Sequence, residues 1–437
     1  MIDQNQNIQF KLNLELIDHV QGLIGIKDDQ GIKKLFNGFH YADIAEILNE
    51  LNFEESIYVI KLLDSKKTSD VLTEIDEDIR EKVLDRLSNK EIAEEIEELD
   101  TDDATDIIAE LPVERQEDVI SKIEDEELKA EIKELLNYDE DSAGGLMAKE
   151  LVKVYETWTV GGCLRKIRAQ AENVTRVHSI YVVTKKEELI GRLSLKDLIT
   201  AKSDQKIADI YISNVDYANV NDDVEDVAKI MTKYDLEAIP VTDDNRILLG
   251  RITIDDIVDV IKEEADKDYQ LAAGIYQDVE ADDSVFELTK ARLPWLVLGL
   301  FGGLGSVFIM SGFDHIMESV PELFFYTPLI AAMAGNVGVQ SSAIIVQGLA
   351  NNNVKGSLFF RLLKEVGLSL INGFTLALLV ILFGYIINQE LVHSIAVAIS
   401  MISVIIVAAL IGTFVPIILD KKGIDPAIAT GPFITTS

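Results

Sequence analysis

Pairs of carboxylates one helical turn apart occur in the acidic part of the chain. Asp102 and Asp106 are four residues apart, as are Asp255 and Asp259, while Asp256 precedes Asp259 by three. Residues at these spacings lie on one face of an α-helix. Carboxylates are hard ligands that suit Mg²⁺ or Ca²⁺, and clustered carboxylates repel each other unless a cation lies between them. The pattern indicates divalent-cation sites, with a solvated helix face as an equal alternative for each pair alone.

The charges are concentrated in the first two thirds of the chain. The 437 residues carry a formal net charge of −36, and 69 of the 76 acidic residues precede Pro294. Because like charges repel, this excess argues against nucleic acid as a partner and favours cations. An ordinary acidic, soluble surface is the alternative. The remainder is apolar, so the two parts require different solvents.

Other metal or catalytic chemistry has little support in the sequence. The single cysteine, Cys163, excludes a thiolate cluster, and the five histidines are scattered between His19 and His393. The sequence has no nucleophile elbow or phosphate loop, so we do not expect an enzyme. Met1 is followed by polar residues, so we expect no cleaved signal peptide and a cytosolic location for the acidic part.

Two kinds of structure must position the acidic residues. Up to about Asn137, apolar residues recur at three and four positions, which predicts short helices arranged as repeated hairpins. The following stretch, to about Tyr269, mixes strands with helices. Residues 255–292 then read as one long acidic helix that runs to the first apolar span.

One pattern of strand, turn, strand and helix occurs twice in the mixed stretch. The strand at 180–183 leads to Gly191-Arg192, and the strand at 239–241 leads to Gly250-Arg251. Each copy continues into a helix opened by Ser or Thr, with Asp three residues later. This resembles a tandem pair of CBS domains.

The CBS resemblance implies a site for ATP or another adenine nucleotide. In that family, the Ser/Thr and the Asp three residues later border the ribose. The corresponding residues are Ser194 and Asp197 in the first copy and Thr253 and Asp256 in the second, and Lys196 is a further candidate for binding the nucleotide. A capping box that merely starts each helix is the alternative.

Four stretches are apolar and long enough to approach or exceed the roughly 20 helical residues that cross a bilayer core. They are 294–310, 324–350, 359–387 and 392–419. A fifth run, 425–437, would rise only about 20 Å as a helix, so we expect the fifth span to be truncated here. Lys and Arg residues precede the first span and follow the second and fourth, so the positive-inside rule places the N-terminal half in the cytosol of a multi-pass plasma-membrane protein.

The second span contains small and amide-bearing residues at 334–342. Polar side chains at that depth face a partner helix or a water path. Asn336, Gly338 and Gln340 are the pore candidates, because neutral oxygens suit a Mg²⁺ ion that keeps most of its waters. Helix packing through Gly335 and Ser341 is the alternative.

The order of motifs along the chain resembles the MgtE family of magnesium channels. The matching segments are 138–147, 158–160, the CBS pair, 292–295, 335–340, 423–427 and 431–432. The resemblance implies a homodimer with five spans per subunit, a pore along the dimer axis and closure by intracellular Mg²⁺. It also implies that the ion-selecting acid of the fifth span follows the Thr-Thr-Ser stretch and so lies beyond Ser437.

The resemblance further implies which acids share magnesium ions in the closed state. The matching positions are Asp70, Asp102 and Asp106 in the N-terminal domain, Glu225, Asp235, Asp256 and Asp259 in the second CBS copy, and Glu264 and Asp268 on the connecting helix. Lys267 stands where the family can carry an acid, which weakens one expected inter-subunit site. At the cytosolic mouth of the pore, Asp425 is a further candidate.

We therefore expect a multidomain protein. Its parts are an all-α superhelical N-terminal domain at 1–137, α+β tandem CBS domains at 138–269, a connecting (plug) helix at 255–292 and an α-helical transmembrane bundle at 293–437. The predicted function is a Mg²⁺ channel gated by intracellular Mg²⁺. A CBS-regulated transporter of another divalent cation, such as Co²⁺, is the alternative. The expected partners are a second copy of the chain, membrane lipid and magnesium ions, without nucleic acid.

Overall fold

The chain divides into two compact units, Met1–Ile261 and Lys262–Ser437. The computed structural model describes residues 11–170, 176–277, 279, 283–350, 354, 356–429, 431 and 434. The first unit holds a helical domain and an α+β pair, and the second holds four long apolar helices. The predicted fold class is confirmed in these respects.

The helical domain consists of short helices that pack on alternate neighbours. Its ten helices are α1 (Leu14–Gly25), α2 (Asp29–Phe36), α3 (Tyr41–Asn49), α4 (Phe53–Ile60), α5 (Ser65–Glu74), α6 (Glu77–Arg86), α7 (Asn89–Ile96), α8 (Thr101–Ala109), α9 (Val113–Lys122) and α10 (Glu126–Leu135). Helix α3 packs on α5, α5 on α7 and α7 on α9. One apolar core, which includes Ile44, Ile92 and Ile108, runs through all of them.

Capping boxes start several of these helices. Asn52 Oδ1 accepts from the Glu55 amide at 3.1 Å, and Glu55 accepts from the Asn52 amide at 3.2 Å. Ser88 and Glu91 form the same reciprocal pair at the start of α7. Each box satisfies amides that an isolated helix leaves without acceptors, which fixes where each short helix begins.

The α+β pair consists of two small sheets of the same topology. The first copy holds β1 (Val152–Tyr155), α11 (Val160–Gln170), β2 (Ile180–Val183), β3 (Leu189–Leu193) and α12 (Leu195–Thr200); the second holds β4 (Ala218–Asn219), α13 (Val224–Tyr234), β5 (Ala238–Thr242), β6 (Leu248–Thr253) and α14 (Ile254–Ala272). In each sheet the middle strand pairs parallel to the first and antiparallel to the third. The register shifts at Val182/Val183 and again at Val241/Thr242, so the internal repeat extends to the irregularities of the strands.

The predicted connecting helix at 255–292 is two helices in the structure. Helix α14 ends at Ala272, and α15 (Val285–Ser311) begins after a capping box formed by Ser284 and Glu287. Gly274 has φ +83°, a left-handed conformation that ends helices and that glycine adopts without strain. The prediction of one continuous helix was therefore wrong.

Within its described residues, the second unit contains four helices that are long and apolar enough to cross a membrane. These spans are Val285–Ser311, Pro321–Ala350, Leu358–Ile386 and Leu391–Asp420. They comprise α15, a short 3₁₀ turn with α17 (Thr327–Ala350), α18 (Leu358–Ile386) and α19 (Leu391–Asp420), and α16 (Asp314–Ser319) lies between the first two. Both α17 and α18 pack on α19. Of the predicted fifth run at 425–437, the structure describes residues 425–429, 431 and 434, which include the 3₁₀ turn Pro426–Ala429. The rest of this run lies outside the described residues.

Candidate metal centre

The start of α8 is held by a carboxylate from the segment that leads into β1. Glu150 accepts hydrogen bonds from the Thr101 amide at 3.1 Å and from the Thr101 hydroxyl at 2.9 Å. The Lys149 amide donates to the same hydroxyl at 2.8 Å. Because the side chain of Asp100 makes no cap hydrogen bond, Glu150 supplies the acceptor that α8 needs. This attachment fixes α8 against the α+β pair.

The junction of β6 and α14 lies beside α8. Buried Arg251 approaches Asp100 at 3.7 Å, and its backbone pairs with that of Ala148. Five residues later, Asp256 accepts from the Thr253 amide at 3.1 Å and from the Thr253 hydroxyl at 2.8 Å. The Thr–Asp pair that the sequence marked as a nucleotide contact is thus hydrogen-bonded internally, through one half of a capping box and a hydroxyl–carboxylate contact.

Carboxylates from α8 and α14 face one another across this junction. Burial, followed by the charges of Asp103, Asp256 and Glu150, raises the pKa of Asp102 well above its ordinary value. Burial and the charges of Asp256 and Asp106 raise the pKa of Asp103 to about 7. We refer to Asp102, Asp103, Asp106, Glu150 and Asp256 as the α8–α14 acid cluster.

Asp106 is the member of the cluster that solvent reaches. Burial and the charge of Glu140 raise its pKa to about 7, against an opposing effect of Arg80. Its side chain is nevertheless exposed.

The cluster is a set of neighbouring carboxylates rather than a closed coordination shell. Among the described residues, no three His, Cys, Asp or Glu side chains converge on one metal position. Mg²⁺ usually keeps several waters and is bound through one or two carboxylates. The arrangement therefore suits a hydrated cation that bridges two helices through water.

A second acidic group joins α5 to α14. Burial, then the charge of Asp259, raises the pKa of Glu74, and Asp70 acts on Glu74 in the same direction. Burial also raises the pKa of half-buried Asp70, partly offset by Lys66. Asp70 and Asp259, which the sequence nominated separately, are thus brought together through Glu74.

The two nominated acids of α13 have other surroundings in the structure. Exposed Glu225 forms an ion pair with Lys229 at 3.1 Å, which also contacts Asp226. Asp235 ends α13 with a left-handed φ of +51° and an exposed side chain. In the part of the chain that the structure describes, neither residue has a recorded contact with the α8–α14 acid cluster.

The remaining acid candidates lie in the second unit. On α14, Glu264 forms an ion pair with Lys267 at 2.8 Å, and Asp268 is exposed one turn further along. Asp425 accepts from the Ala427 amide at 2.7 Å, so it caps the 3₁₀ turn that follows. Each unit carries its own candidates.

The first CBS copy presents its nucleotide candidates more openly than the second. The Ser194 hydroxyl accepts from the Lys196 amide at 3.2 Å and so starts α12. Lys196 is exposed and Asp197 is partly exposed, whereas Thr253 is only 7% exposed. Ser194 and Asp197 keep accessible oxygens for a ligand.

The pore candidates of α17 face different surroundings. Asn336 and Gln340 are exposed within the single chain, and Gly338 is buried. A Cβ on Gly412 of α19 would lie 2.4 Å from the Gly338 carbonyl oxygen, so the two backbones are in close contact. Gly338 therefore serves helix packing, which the sequence had considered for the neighbouring Gly335 and Ser341.

Sequence reasoning missed three acids that the structure places at these sites. Asp103 adjoins Asp102 and precedes Asp106 by three residues, and Glu74 follows Asp70 by four, so helical spacing could have found both. Glu150 has no local signal, because only the fold brings it to the start of α8.

Family models cover most of the chain in sequence order. The intracellular N domain of MgtE matches residues 39–141, and the CBS domain matches 143–204 and 207–263. The MgtE divalent cation transporter model matches 327–437. The matched domains follow the order that the sequence motifs indicated.

Similar proteins span the same parts. The magnesium transporter MgtE of Bacillus subtilis (strain 168) is 36% identical over 303 residues, which cover 69% of this chain and 67% of that protein. MgtE of Enterococcus faecalis is 38% identical over 304 residues, covering 69% of this chain and 67% of that protein. The crystal structure of the cytosolic domain of the Mg²⁺ channel MgtE in complex with ATP is 33% identical, with a TM-score of 0.53, and covers 56% of this chain and 99% of that one.

The matches to MgtE proteins agree with the acidic first unit and with the long apolar helices of the second unit. The crystal structure of the soluble part of a magnesium transporter is also similar, with 31% identity and a TM-score of 0.51 over 57% of this chain and 98% of that one. The protein is a multi-pass membrane protein with cytosolic N-terminal domains, and the relatives that match more than two thirds of it are magnesium transporters. The chain belongs to the MgtE family of magnesium transporters.

Proposed function

We propose that the protein is a Mg²⁺ channel that closes when intracellular Mg²⁺ binds among the acids of its cytosolic unit. The observation that carries the proposal is the α8–α14 acid cluster, in which Asp102, Asp103 and Asp106 approach Asp256 closely enough to raise one another's pKa. Carboxylates in such an arrangement repel unless protons or cations neutralise them.

Mg²⁺ favours the docked arrangement by removing this repulsion. A cation that binds the docked state better than the separated state shifts the equilibrium toward docking by its difference in affinity. The Asp70, Glu74 and Asp259 group supports the same effect, because it also joins the helical domain to α14. The α8–α14 acid cluster and this second group then both respond to the intracellular Mg²⁺ concentration.

Helix α14 provides a covalent route from the sensor to the membrane unit. It begins beside the acid cluster at Asp256 and continues without a break to Ala272, where the chain turns toward α15. A shift of the first turns of a rigid helix moves its far end, which is a recognised way to operate a gate. Closure at high Mg²⁺ and opening at low Mg²⁺ follow.

Limited proteolysis with and without Mg²⁺ tests the sensor. We expect millimolar Mg²⁺ to protect the linker near Gly145 and the linker that follows α14 just after Tyr269, because docking restricts both segments. In Asp102→Asn/Asp106→Asn, fewer charges repel and fewer bind cations, so the difference in digestion between chelator and Mg²⁺ should shrink severalfold.

The matched control is Asp78→Asn, since Asp78 is an exposed acid that pairs with Lys82 on α6. This variant should respond to Mg²⁺ as the unaltered protein does. Identical digestion of the unaltered protein in chelator and in Mg²⁺ would contradict the sensor while leaving the transport function untouched.

The identity of the transported ion requires a direct comparison. We propose Mg²⁺, and a transporter of another divalent cation such as Co²⁺ is the alternative. Uptake by proteoliposomes in the presence of equal concentrations of the two ions separates them. Preferential Co²⁺ uptake would favour the alternative.

We propose in addition that an adenine nucleotide binds the CBS pair. A relative's cytosolic domain was crystallised with ATP, and Ser194, Lys196 and Asp197 in this chain form an accessible polar edge. Thr253 and Asp256 are the matching pair in the second copy, so a nucleotide there would contact the α8–α14 acid cluster.

Calorimetric titration with ATP tests this binding. Asp197→Ala removes an acceptor expected to contact the ribose, so we expect binding to weaken by about tenfold. Thr200→Val is the control, because the Thr200 hydroxyl bonds within its own helix, to the Lys196 carbonyl at 2.9 Å. Equal affinity for ATP in the Asp197 and Thr200 variants would contradict the assignment.

We also propose a homodimer in the lipid membrane, as the family resemblance implies. The proposal is supported by α15, whose apolar window has no buried residue within one chain. A partner subunit or lipid can cover that surface.

A further inference from the structure

Polar residues of three spans lie at a similar depth inside the membrane unit. They are Ser341 and Ser342 on α17, Glu365 on α18 and Thr413 on α19. At 1.5 Å per residue, Ser341 lies about 14 Å from the end of α17, Glu365 about 10 Å from the start of α18 and Thr413 about 10 Å from the end of α19. With the N-terminal domains in the cytosol, all three helix ends are cytosolic, so the residues share one depth in the inner part of the membrane.

Glu365 places a carboxylate at this depth. Its Oε1 accepts from the Ser341 hydroxyl at 2.6 Å, which joins α18 to α17. Carboxylates inside a membrane are costly and usually mark ion paths or partners of ions. If position 365 served helix packing alone, a serine or an amide side chain would be sufficient there.

The seam between α17 and α19 adds oxygen atoms that lack partners. Ser342 and Thr413 are fully buried, and within the described part of the chain neither hydroxyl has a hydrogen-bond partner. Pro416 has no amide hydrogen, so the Gly412 carbonyl loses the donor it would have in a regular helix. A Cβ on Gly412 would lie 3.2 Å from Ser341 Cβ. Gly412 therefore lies beside the hydrogen bond between Ser341 and Glu365.

These groups share the chemistry of a hard cation site. One carboxylate, hydroxyls and a backbone carbonyl are oxygen ligands, and Mg²⁺ typically takes one or two carboxylates while keeping several waters. Buried oxygens without donors gain from a cation or from its water shell. We propose that Glu365, Ser341 and the Gly412–Thr413 segment form a cation subsite for partly hydrated Mg²⁺ in the inner part of the membrane unit.

This site goes beyond the proposed gating function, because none of its residues belongs to the cytosolic acids. It assigns Glu365 to the ion path itself, as a position that holds Mg²⁺ between the membrane interior and the cytosol. Asn336 and Gln340 lie on α17 with Ser341, five residues and one residue closer to the outer side.

The decisive variant is Glu365→Gln in the full-length protein. Glutamine keeps an oxygen that accepts from Ser341, so a purely structural role survives, but the negative charge that attracts Mg²⁺ is lost. Mg²⁺ uptake is measured in proteoliposomes with Mg²⁺-free buffer on the cytosolic side, where the sensor is empty. We expect the half-saturating Mg²⁺ concentration to rise by about tenfold, or the uptake rate to fall by a similar factor.

Glu318→Gln on α16 is the control, because it removes one exposed carboxylate from a short helix outside the four spans. Glu365→Gln should also retain the Mg²⁺-dependent protection of the cytosolic linkers, which separates a failure of the subsite from a failure of the sensor. Uptake by Glu365→Gln with unchanged rate and half-saturation would overturn the proposal.

Thr413→Val provides a second test that does not alter charge. Valine has the same shape without the hydroxyl, so it should stabilise a dry, purely structural seam and leave uptake unchanged. A cation subsite instead predicts weaker Mg²⁺ dependence at unchanged or raised melting temperature. Normal uptake in both variants would show that the hydroxyl and the carboxylate serve packing only.

Discussion

At the scale of single residues, the shifted acids favour the proposed sensor over an ordinary acidic surface. Most acids of the chain are exposed, and a high negative charge alone is common in soluble domains. Asp103 and Asp106 differ because neighbouring carboxylates and burial raise the pKa of each to about 7. Such acids are costly to maintain without a counter-ion, which favours a functional role.

The same shifts predict how docking depends on pH. The docked pKa values lie above the ordinary value of 3.8 for aspartate, so the docked state binds protons more tightly than the separated state. Its stabilisation is therefore complete below the ordinary pKa and is lost as the pH rises through about 7. In chelator, we expect protease protection of the Gly145 linker at about pH 6 and its loss at about pH 8.

Added Mg²⁺ should restore that protection at the higher pH, because the cation replaces the lost protons. The Asp78→Asn variant again serves as the control. Digestion in chelator that does not change between the two pH values would show that the acids do not govern docking.

At the scale of helices, close backbone contact determines how α17 and α19 pack. Gly338 and Gly412 let the two helices approach until the Gly338 carbonyl oxygen meets the site of a Gly412 side chain. Small residues at such crossings are typical of membrane helices, because lipid provides no hydrophobic drive for association. The two glycines therefore allow close packing of α17 and α19, and the polar residues beside them remain available for ions.

Replacing Gly412 by alanine should destabilise the membrane unit. Its Cβ would lie 2.4 Å from the Gly338 carbonyl oxygen, a backbone atom that cannot move alone. We expect a loss of about 1–3 kcal/mol, measured as a lower melting temperature in detergent. Gly303→Ala on α15 is the matched control, because nothing lies within 4 Å of its Cβ. Equal melting temperatures for the two variants would show that the α17–α19 contact is looser than described.

At the scale of the whole molecule, the division into two units follows the change of solvent. The first unit buries one apolar core in the helical domain and smaller ones in the α+β pair. The second exposes large apolar side chains along α15, α18 and the other spans, as expected where lipid or another subunit surrounds them.

The proposed homodimer can be tested by mass in detergent. Light scattering combined with size exclusion should give about twice the mass of one full-length chain after correction for detergent. Cysteine substitution at Val297, an exposed residue of α15, should also give a crosslink if this face meets a second copy. A single-chain mass at all concentrations would contradict the dimer. Cys163 does not complicate the crosslinking, because it is buried.

The sequence determined the class of the protein and the type of each part. Helical periodicity, the duplicated Gly-Arg motif and the apolar spans are local signals, because each depends on residues within one or two elements. The motifs at 138–147 and 335–340 then indicated the family, which the comparisons confirmed. Helix ends that depend on a single glycine, such as Gly274, were harder to read, and the connecting helix was predicted too long.

Only the tertiary structure decided which acids are neighbours. Asp102 and Asp256 are 154 positions apart in the sequence, and no spacing rule relates them. Glu150 joins them because the segment before β1 caps α8, and Glu74 joins Asp259 because α5 lies against the start of α14. Charge repulsion falls steeply with distance, so a sensing site arises only where folding brings such residues together.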